Sequence, residues 1–231
     1  MLKGWEHLPK YMQTESVRPY YEKLKKRKIS LALKRIFDVA MSAFMLIVLS
    51  PVMLIISIAI VMDSKGGVFF RQERVTQYGR KFRIFKFRTM VANADKLGSQ
   101  VTVKNDMRVT KVGAVIRKYR IDEIPQLINI MLGDMSYVGT RPEVMKYVKS
   151  YTPEMMATLL LPAGVTSEAS IKYKDEENLL EGTIDVDYVY VNKILPEKMN
   201  FNFQYLNEFS LTKDIFIMFR TVFIVVSRRK G

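Results

Sequence analysis

The 231-residue sequence contains no cysteine and only one histidine, and each shortage excludes a class of chemistry. Without cysteine the chain has no thiolate nucleophile, no disulfide framework and no Cys-ligated zinc or iron–sulfur site. A Ser-His-Asp triad or a multi-histidine metal site would depend on His7 alone, near the N-terminus. Acid–base, nucleophilic or metal chemistry must therefore come mainly from Asp, Glu, Lys, Arg, Tyr or Ser.

Positive charge is in excess and unevenly distributed. The chain has 37 Lys and Arg against 23 Asp and Glu, a formal net charge of +14. Residues 1–35 hold ten basic and three acidic residues, residues 36–63 hold none and two, and residues 64–120 hold fifteen and three. Such a basic chain typically binds nucleic acid or an anionic membrane surface. Because two basic blocks flank a stretch without positive charge, we favour the membrane.

The stretch between the basic blocks is long enough to enter a lipid bilayer. Val39 to Met62 are 24 residues without a charge. As a helix they would extend about 36 Å, against roughly 30 Å of hydrocarbon in a bilayer. A soluble core helix of this length is rarely apolar all round. We therefore predict a membrane segment.

Two features favour a helix that dips into the membrane and returns. Both flanks are basic, and basic flanks stay on the cytoplasmic side. Ser50-Pro51 lies at the centre of the run, where proline removes a helical hydrogen bond and the serine hydroxyl can satisfy the freed carbonyl. We predict a re-entrant helix over residues 34–63 that is broken at Ser50-Pro51. A kinked helix that crosses the bilayer remains the alternative.

The rest of the chain predicts a membrane-associated α+β protein that is mostly helical. Residues 1–33 form a basic extension, either on lipid headgroups or solvated, and residues 64–231 form a small cytoplasmic catalytic domain. Alternating apolar residues over 68–90 predict two strands joined by a turn at Gly79. Mostly short helices follow, including one near residues 91–98, one interrupted at Pro196, and amphipathic helices at the C-terminus.

Asp122-Glu123 is the candidate catalytic pair. The pair opens a predicted helix that ends at Gly133, a position where acids are common for purely structural reasons. Its surroundings are basic, with Arg117, Lys118 and Arg120 before it and Arg141 after it. Such surroundings suit a phosphate and would keep Asp122 ionised and nucleophilic. A divalent metal on Glu123 could bridge to a diphosphate.

These residues lie in motifs that resemble a known family, the bacterial sugar transferases. These are the monotopic phosphoglycosyl transferases that begin polysaccharide and glycoprotein glycan assembly. The matching segments run in the family's order from about residue 34 to 175: KRIFD, Ser50-Pro51, FFRQERV, FRIFKFRTM, RVTKVGAVIRKYRIDEIPQLINIMLGDMSYVGTRPE and, more weakly, PAGVTSEASIKY. The block from DEIPQ to GTRP is long and specific, whereas residues 1–33 and the last 40 or so carry no distinctive motif.

The resemblance implies a two-step reaction at the cytoplasmic face of the bacterial inner membrane. Asp122 attacks the β-phosphate of a nucleoside diphosphate sugar, usually a UDP-sugar, and UMP leaves. Polyprenyl phosphate, such as undecaprenyl phosphate, then takes the phosphosugar from the aspartate. Glu123 helps to hold Mg²⁺. Membrane lipid is an expected partner, nucleic acid is not, and a homodimer is left open.

The resemblance also assigns further positions. Lys86, Arg88, Arg117 and Arg141 match basic positions expected to contact phosphates or the nucleotide. Lys34, Arg35 and Asp38 match the motif where the chain enters the membrane, and Ser50 and Pro51 match its break.

The chain departs from the family at two loops. It has Gly-Thr-Arg-Pro at 139–142 where the family often has Gly-Pro-Arg-Pro, and PAGVTSEAS where longer members often have RPGITGWAQ. If the second loop recognises the sugar or the nucleotide, the donor cannot be carried over from better-known members of the family. A membrane-tethered module that binds nucleic acid or anionic lipid is the alternative function, because it needs only the basic block.

Overall fold

The computed structural model describes residues 2–92, 94, 106–174, 176–179, 183 and 185–227, and these form a mostly helical α+β fold, as predicted. The helices are α1 (Arg18–Lys25), α2 (Lys28–Asp63), α3 (Lys111–Lys118), α4 (Gln126–Leu132), α5 (Met145–Val148), α6 (Glu168–Lys172), α7 (Glu176–Leu179), α8 (Val186–Val189), α9 (Leu195–Glu208) and α10 (Leu211–Ser227). The strands are β1 (Phe69–Val75), β2 (Lys81–Phe87), β3 (Met135–Val138) and β4 (Ala163–Thr166).

The strands pair as two small sheets within the described residues. β1 and β2 form the predicted antiparallel hairpin, in which Phe70 lies opposite Lys86. β3 and β4 pair in parallel, with Met135 opposite Ala163. The hairpin places Phe82 and Ile84 in an apolar cluster with α4, and so β2 lies directly beside the segment that carries the acidic pair.

The acidic pair precedes helix α4 and does not lie in its first turn. Ile121–Glu123 form a separate 3₁₀ turn, Pro125 is the N-cap, and α4 begins one residue later. Arg120, just before the turn, has φ 53°, a left-handed conformation that redirects the chain after α3. The predicted end at Gly133 is confirmed, since Gly133 has φ 83° and caps the helix.

The helix predictions around Pro196 and near residues 91–98 are not confirmed as made. Pro196 does not interrupt the helical segment: it lies in the first turn of α9, and the chain before it is already helical. A π-helical turn, Tyr190–Ile194, precedes α9 and joins it to α8. The helix predicted near residues 91–98 lies largely outside the described residues.

Helix α2 differs from the predicted helix-break-helix, because it runs without interruption through Ser50-Pro51. Proline at 51 cannot donate to the carbonyl of Ile47, four residues earlier. The Ser50 hydroxyl donates to that carbonyl instead, at 2.8 Å. The freed acceptor is thereby satisfied, and the chain remains helical. The helix also begins at Lys28, earlier than the predicted boundary at residue 34.

Both ends of α2 are bound to the rest of the protein. Near its start, Lys34 lies 2.5 Å from Asp214 of α10 and donates to the carbonyl of Val138 at 3.0 Å. At its end, Asp63 accepts a hydrogen bond from the backbone N–H of Val112, at the start of α3, at 2.9 Å. The helix therefore lies along the folded domain from one end to the other.

The outer face of α2 is apolar and exposed. Its exposed large residues include Phe44, Ile47, Val48, Val52, Leu54, Ile55, Ile58, Val61 and Met62. Of the described helices, α2 alone is long and apolar enough to cross a membrane, and only 6% of its most apolar stretch is buried in the protein. Helix α10 packs on β3 and β4 but also exposes Phe216, Phe219, Val222 and Phe223. These faces are compatible with membrane association.

The N-terminal extension is not a separate solvated arm, because it packs on the rest of the protein. Its large apolar side chains are buried in the main core: Leu8, Met12, Val17, Tyr21 and Leu24. The Tyr11 hydroxyl donates to the carbonyl of Tyr78 in the β1–β2 turn at 2.9 Å. The extension therefore belongs to the same folded body as the segment that follows α2.

We expect Lys34→Met to lower the free energy of unfolding by about 3 kcal/mol, because it leaves Asp214 buried without its cation. The Lys34→Met/Asp214→Leu double variant should recover most of this loss, since it removes both charges. Urea unfolding in detergent micelles, followed by circular dichroism, measures the difference. Lys81→Met is the control: Lys81 pairs with Glu73 on the exposed surface, and it should cost less than about 1 kcal/mol. An equal loss in Lys34→Met and Lys81→Met would contradict the anchoring role.

Candidate active site

Two cations converge on one oxygen of the acidic pair. Glu123 Oε1 accepts a hydrogen bond from Lys86 Nζ at 2.9 Å and another from Arg141 Nη2 at 3.0 Å. Lys86 Nζ also lies 3.8 Å from Asp122 Oδ2. The side chains of Asp122 and Glu123 are only 15% and 12% exposed. The structure thus brings together Lys86, Asp122, Glu123 and Arg141, four of the residues predicted from sequence.

Asn129 fixes the strand that carries Lys86. This residue of α4 is fully buried, and its side-chain carbonyl accepts from the backbone N–H of Phe85 at 2.8 Å. Its amide nitrogen donates to the carbonyl of Arg83 at 3.1 Å. Both contacts are to β2, immediately before Lys86. These two hydrogen bonds fix the position of β2 along α4, and Lys86 faces the acidic pair.

The loop that carries Arg141 follows β3 and is held against β4. Gly139 donates to the carbonyl of Thr166 at 3.0 Å, and the carbonyl of Thr140 accepts from Gly164 at 2.8 Å. A side chain at Gly139 would place its Cβ 2.6 Å from the carbonyl oxygen of Pro162, too close for any real contact. Glycine is therefore required for this close approach, which brings Arg141 to Glu123.

The two carboxyl groups have opposite pKa shifts. Burial alone would raise the pKa of Glu123, but Lys86, Arg141 and Arg120 favour its charged form and lower the pKa well below its usual range. Burial raises the pKa of Asp122, and the neighbouring Glu123 charge adds to this against the influence of Lys86. The basic surroundings therefore only partly offset the desolvation of Asp122.

The two carboxylates also differ in how firmly they are held. Glu123 is held by two direct ion pairs, which neutralise it and fix its position. Asp122 has its nearest ion-pair partner, among the described residues, at 3.8 Å, and its carboxylate is less engaged. A desolvated carboxylate beside fixed cations suits nucleophilic attack on a phosphate, because the cations attract the phosphate that the carboxylate would repel.

Two of the other predicted phosphate contacts have different outcomes. Arg117, at the end of α3, is half-buried and close enough to lower the pKa of Asp122. Arg88 lies apart from the pair: the residue is 7% exposed, and its guanidinium donates to the carbonyls of Ser64 (2.7 Å) and Lys65 (2.6 Å). Arg88 therefore caps the C-terminal end of α2 in this structure.

The residues predicted where the chain enters the membrane attach α2 to the domain. Arg35 donates to the carbonyls of Ile130 (2.6 Å) and Met131 (2.9 Å) at the end of α4. Asp38 is buried and accepts from the backbone N–H of Tyr137 at 3.4 Å. Together with Lys34 they fix the helix relative to α4 and β3, the elements on either side of the acidic pair.

The carboxylates fit Mg²⁺ only in the mode that relies on the substrate. The described residues contain no group of three or more side chains that could hold a metal by themselves. Both ion pairs of Glu123 are made by Oε1, so within the described residues Oε2 has no ion pair. Mg²⁺ is commonly bound by one or two carboxylates together with substrate phosphates and water. Asp122 and Glu123 match that donor set.

Sequence reasoning missed the residues that position the site. Asn129 is a polar residue inside the apolar run LINIML, a pattern that could have marked it as a buried contact. Arg120 was noted only as one of several basic neighbours. Its left-handed backbone and its hydrogen bond to the carbonyl of Lys174 at 3.2 Å depend on tertiary structure.

The chain is similar to known proteins over more than four fifths of its length. The chain is 35% identical over 193 residues to the UDP-N-acetylgalactosamine-undecaprenyl-phosphate N-acetylgalactosaminephosphotransferase of Aeromonas hydrophila, covering 82% of this chain and 43% of that protein. It is 35% identical over 196 residues to the UDP-glucose:undecaprenyl-phosphate glucose-1-phosphate transferase of Escherichia coli K12, covering 83% and 39%. It is 33% identical over 210 residues to the exopolysaccharide production protein PSS of Rhizobium leguminosarum, covering 88% and 100%.

The chain thus spans about two fifths of the first two relatives. The sequence model of the bacterial sugar transferase family matches residues 29–228, which include α2, the hairpin, the acidic pair and α10. The chain belongs to the bacterial sugar transferase family.

Proposed function

We propose that this protein is a polyprenyl-phosphate sugar-1-phosphate transferase. It moves a sugar-1-phosphate from a UDP-sugar to undecaprenyl phosphate and releases UMP. The observation that carries the proposal is the Asp122-Glu123 pair, in which Lys86 and Arg141 bind Glu123 and leave Asp122 beside a phosphate-attracting centre. The printed names of the first two relatives, both UDP-sugar and undecaprenyl-phosphate transferases, support the donor and acceptor classes.

The reaction proceeds in two displacements at phosphorus. In the first, an oxygen of Asp122 bonds to the β-phosphorus, the bond to the bridging oxygen breaks, and UMP leaves with that electron pair. In the second, a phosphate oxygen of the acceptor bonds to the same phosphorus, and the aspartate oxygen leaves as a carboxylate. No histidine or cysteine is needed, which agrees with the composition.

The neighbouring side chains bind and orient the diphosphate. Lys86 and Arg141 are the donors closest to the pair and hold Glu123 in place. Arg117 adds positive charge near Asp122. Glu123 would help to hold Mg²⁺, which when bound would neutralise part of the diphosphate charge.

The contacts on either side of α2 support a re-entrant, monotopic topology at the cytoplasmic face of the inner membrane, in which α2 enters and leaves on the same face although its helix is unbroken. Tyr11 precedes the helix and Tyr78 follows it, yet the two residues are hydrogen-bonded at 2.9 Å. A bilayer would separate these two residues if α2 crossed it, and their contact therefore supports a topology with both flanks of α2 on one side. Since both flanks are basic, we propose that this side is the cytoplasm. A lipid acceptor and a water-soluble donor can then reach the same site.

Asp122→Asn should abolish turnover while membrane binding stays intact, because the amide cannot displace UMP. UMP release is measured with a panel of UDP-sugars, undecaprenyl phosphate and Mg²⁺, and membrane binding by flotation with lipid vesicles. Asp187→Asn is the matched control, since Asp187 pairs with Lys146 and Tyr147 outside the site. Activity of Asp122→Asn near the parent level would show that Asp122 is not the nucleophile. A mere polyanion-binding module would release no UMP with any donor.

Lys86→Met should lower kcat/KM by about 100-fold, the usual scale for losing one positioned charge donor at a transferring group. The substitution also removes one of the two cations that hold Glu123. Steady-state UMP release gives the ratio, and Lys81→Met, a loss of charge at the exposed start of the same strand, is the control. An equally small change in both variants would show that Lys86 does not contribute to the reaction.

Single-cysteine labelling tests the topology. Because the sequence has no cysteine, only the introduced thiol can react with the label. Lys10→Cys and Lys81→Cys place thiols at exposed positions before and after α2. Both should resist a membrane-impermeant maleimide in intact cells and react with it after permeabilisation. If one thiol reacts in intact cells and the other does not, α2 crosses the bilayer and the re-entrant topology is wrong.

A further inference from the structure

A second group of buried charged side chains lies next to the Arg141 loop. Glu143, two residues after Arg141, accepts a hydrogen bond from the Tyr190 hydroxyl at 2.5 Å. Lys198 of α9 donates to the same hydroxyl at 3.0 Å and lies 3.8 Å from Glu143 Oε1. Lys198 also pairs with Glu176 of α7 at 3.0 Å. Glu143, Tyr190 and Lys198 are only 7%, 3% and 4% exposed.

Charged side chains such as these stabilise a protein core poorly. Burying an ammonium and a carboxylate costs free energy unless each is paired and hydrogen-bonded. Apolar side chains of the same volume usually stabilise such a position at least as well. Tyr190 lies among the main apolar core residues, where hydrophobic packing was available. The charges at Glu143 and Lys198 therefore call for a role other than stability.

The cluster is joined directly to the loop that carries Arg141. The backbone around Pro142 is held from β1: Arg74 donates to its carbonyl at 3.2 Å, and Val75 donates to the carbonyl of Glu143 at 2.9 Å. The Glu143 carboxylate adds an attachment to α9 on the other side. Thr140, before Arg141, does not restrict φ as proline would. The loop therefore depends on these tertiary contacts for its shape.

The cluster also acts on Arg141 through charge. The Glu123 carboxylate contributes most to raising the pKa of Arg141, and the carboxylates of Glu176 and Glu143 add to it. These two carboxylates thus attract the guanidinium in competition with Glu123. Lys198 neutralises part of their charge from within the cluster. Without Lys198, the buried Glu143 carboxylate and the partly exposed Glu176 carboxylate would draw Arg141 away from Glu123.

We propose that Lys198 is a positioning residue for donor binding: by balancing Glu143 and Glu176 and by holding the Tyr190 hydroxyl, it keeps Arg141 on Glu123. The inference rests on the proposed function, in which Arg141 contacts the donor diphosphate. Lys198 itself touches neither the acidic pair nor the substrate. Its effect reaches the site through the Arg141 loop.

Steady-state UMP release by Lys198→Met tests the inference. KM for the UDP-sugar should rise roughly tenfold, a usual effect of losing a residue that orients a ligand-binding group. The turnover number should change much less, since loss of binding alone raises KM. Tyr190→Phe, which removes one hydroxyl, should show the same direction with a smaller effect. Lys213→Met, which breaks the Lys213–Glu208 pair at the junction of α9 and α10, should leave KM unchanged.

The double variant Lys198→Met/Glu143→Gln separates positioning from mere stability. Removing the Glu143 charge should bring KM back toward the parent value, and Lys198→Arg should do so as well. The inference is overturned if folded Lys198→Met, judged by its melting temperature, keeps the parent KM. It is also overturned if Glu143→Gln adds a further rise in KM. If the parent releases no UMP, the proposed function fails, and this inference fails with it.

Discussion

The site depends on one carboxylate oxygen, Glu123 Oε1, which two cations from different parts of the chain bind at once. Lys86 reaches it from the β1–β2 hairpin, and Arg141 reaches it from the loop after β3. A carboxylate as poorly exposed as that of Glu123 is stable only when it is paired in good geometry. The hairpin, the 3₁₀ turn and the loop are therefore constrained to meet at this point, and Asp122 is placed beside them.

The supporting structure can be understood from this constraint. Asn129 holds β2, close backbone contact at Gly139 holds the loop, and the left-handed Arg120 turns the chain between α3 and the pair. Helix α2 is attached at both ends to the same body through Lys34 and Asp63. A long apolar helix thus runs beside a polar centre, an arrangement suited to a reaction between a lipid phosphate and a soluble nucleotide sugar.

The sequence was informative where local pattern determines structure. Alternation predicted the hairpin, glycine predicted the end of α4, and the family motif indicated the residues that meet at Glu123. It was less informative where tertiary contacts decide. The N-terminal extension looked like a surface arm because its charges are conspicuous, whereas its apolar residues are dispersed and become a core only when packed on other segments. Arg88 was expected to contact phosphate because it matches a basic position of the family motif, but its side chain binds the end of α2. Nothing local predicts that Lys198 and Glu143, 55 residues apart, share a buried cluster.

Mass spectrometry of the protein incubated with its UDP-sugar and Mg²⁺, without any acceptor lipid, tests the central claim most directly. A covalent phosphosugar on Asp122 predicts a mass increase equal to one sugar phosphate, with UMP released in equal amount. Peptide mapping should place the adduct on the peptide that contains Asp122, and undecaprenyl phosphate should remove it. If UMP forms only when acceptor is present, and no adduct is found, the transfer is direct and Asp122 is not the nucleophile.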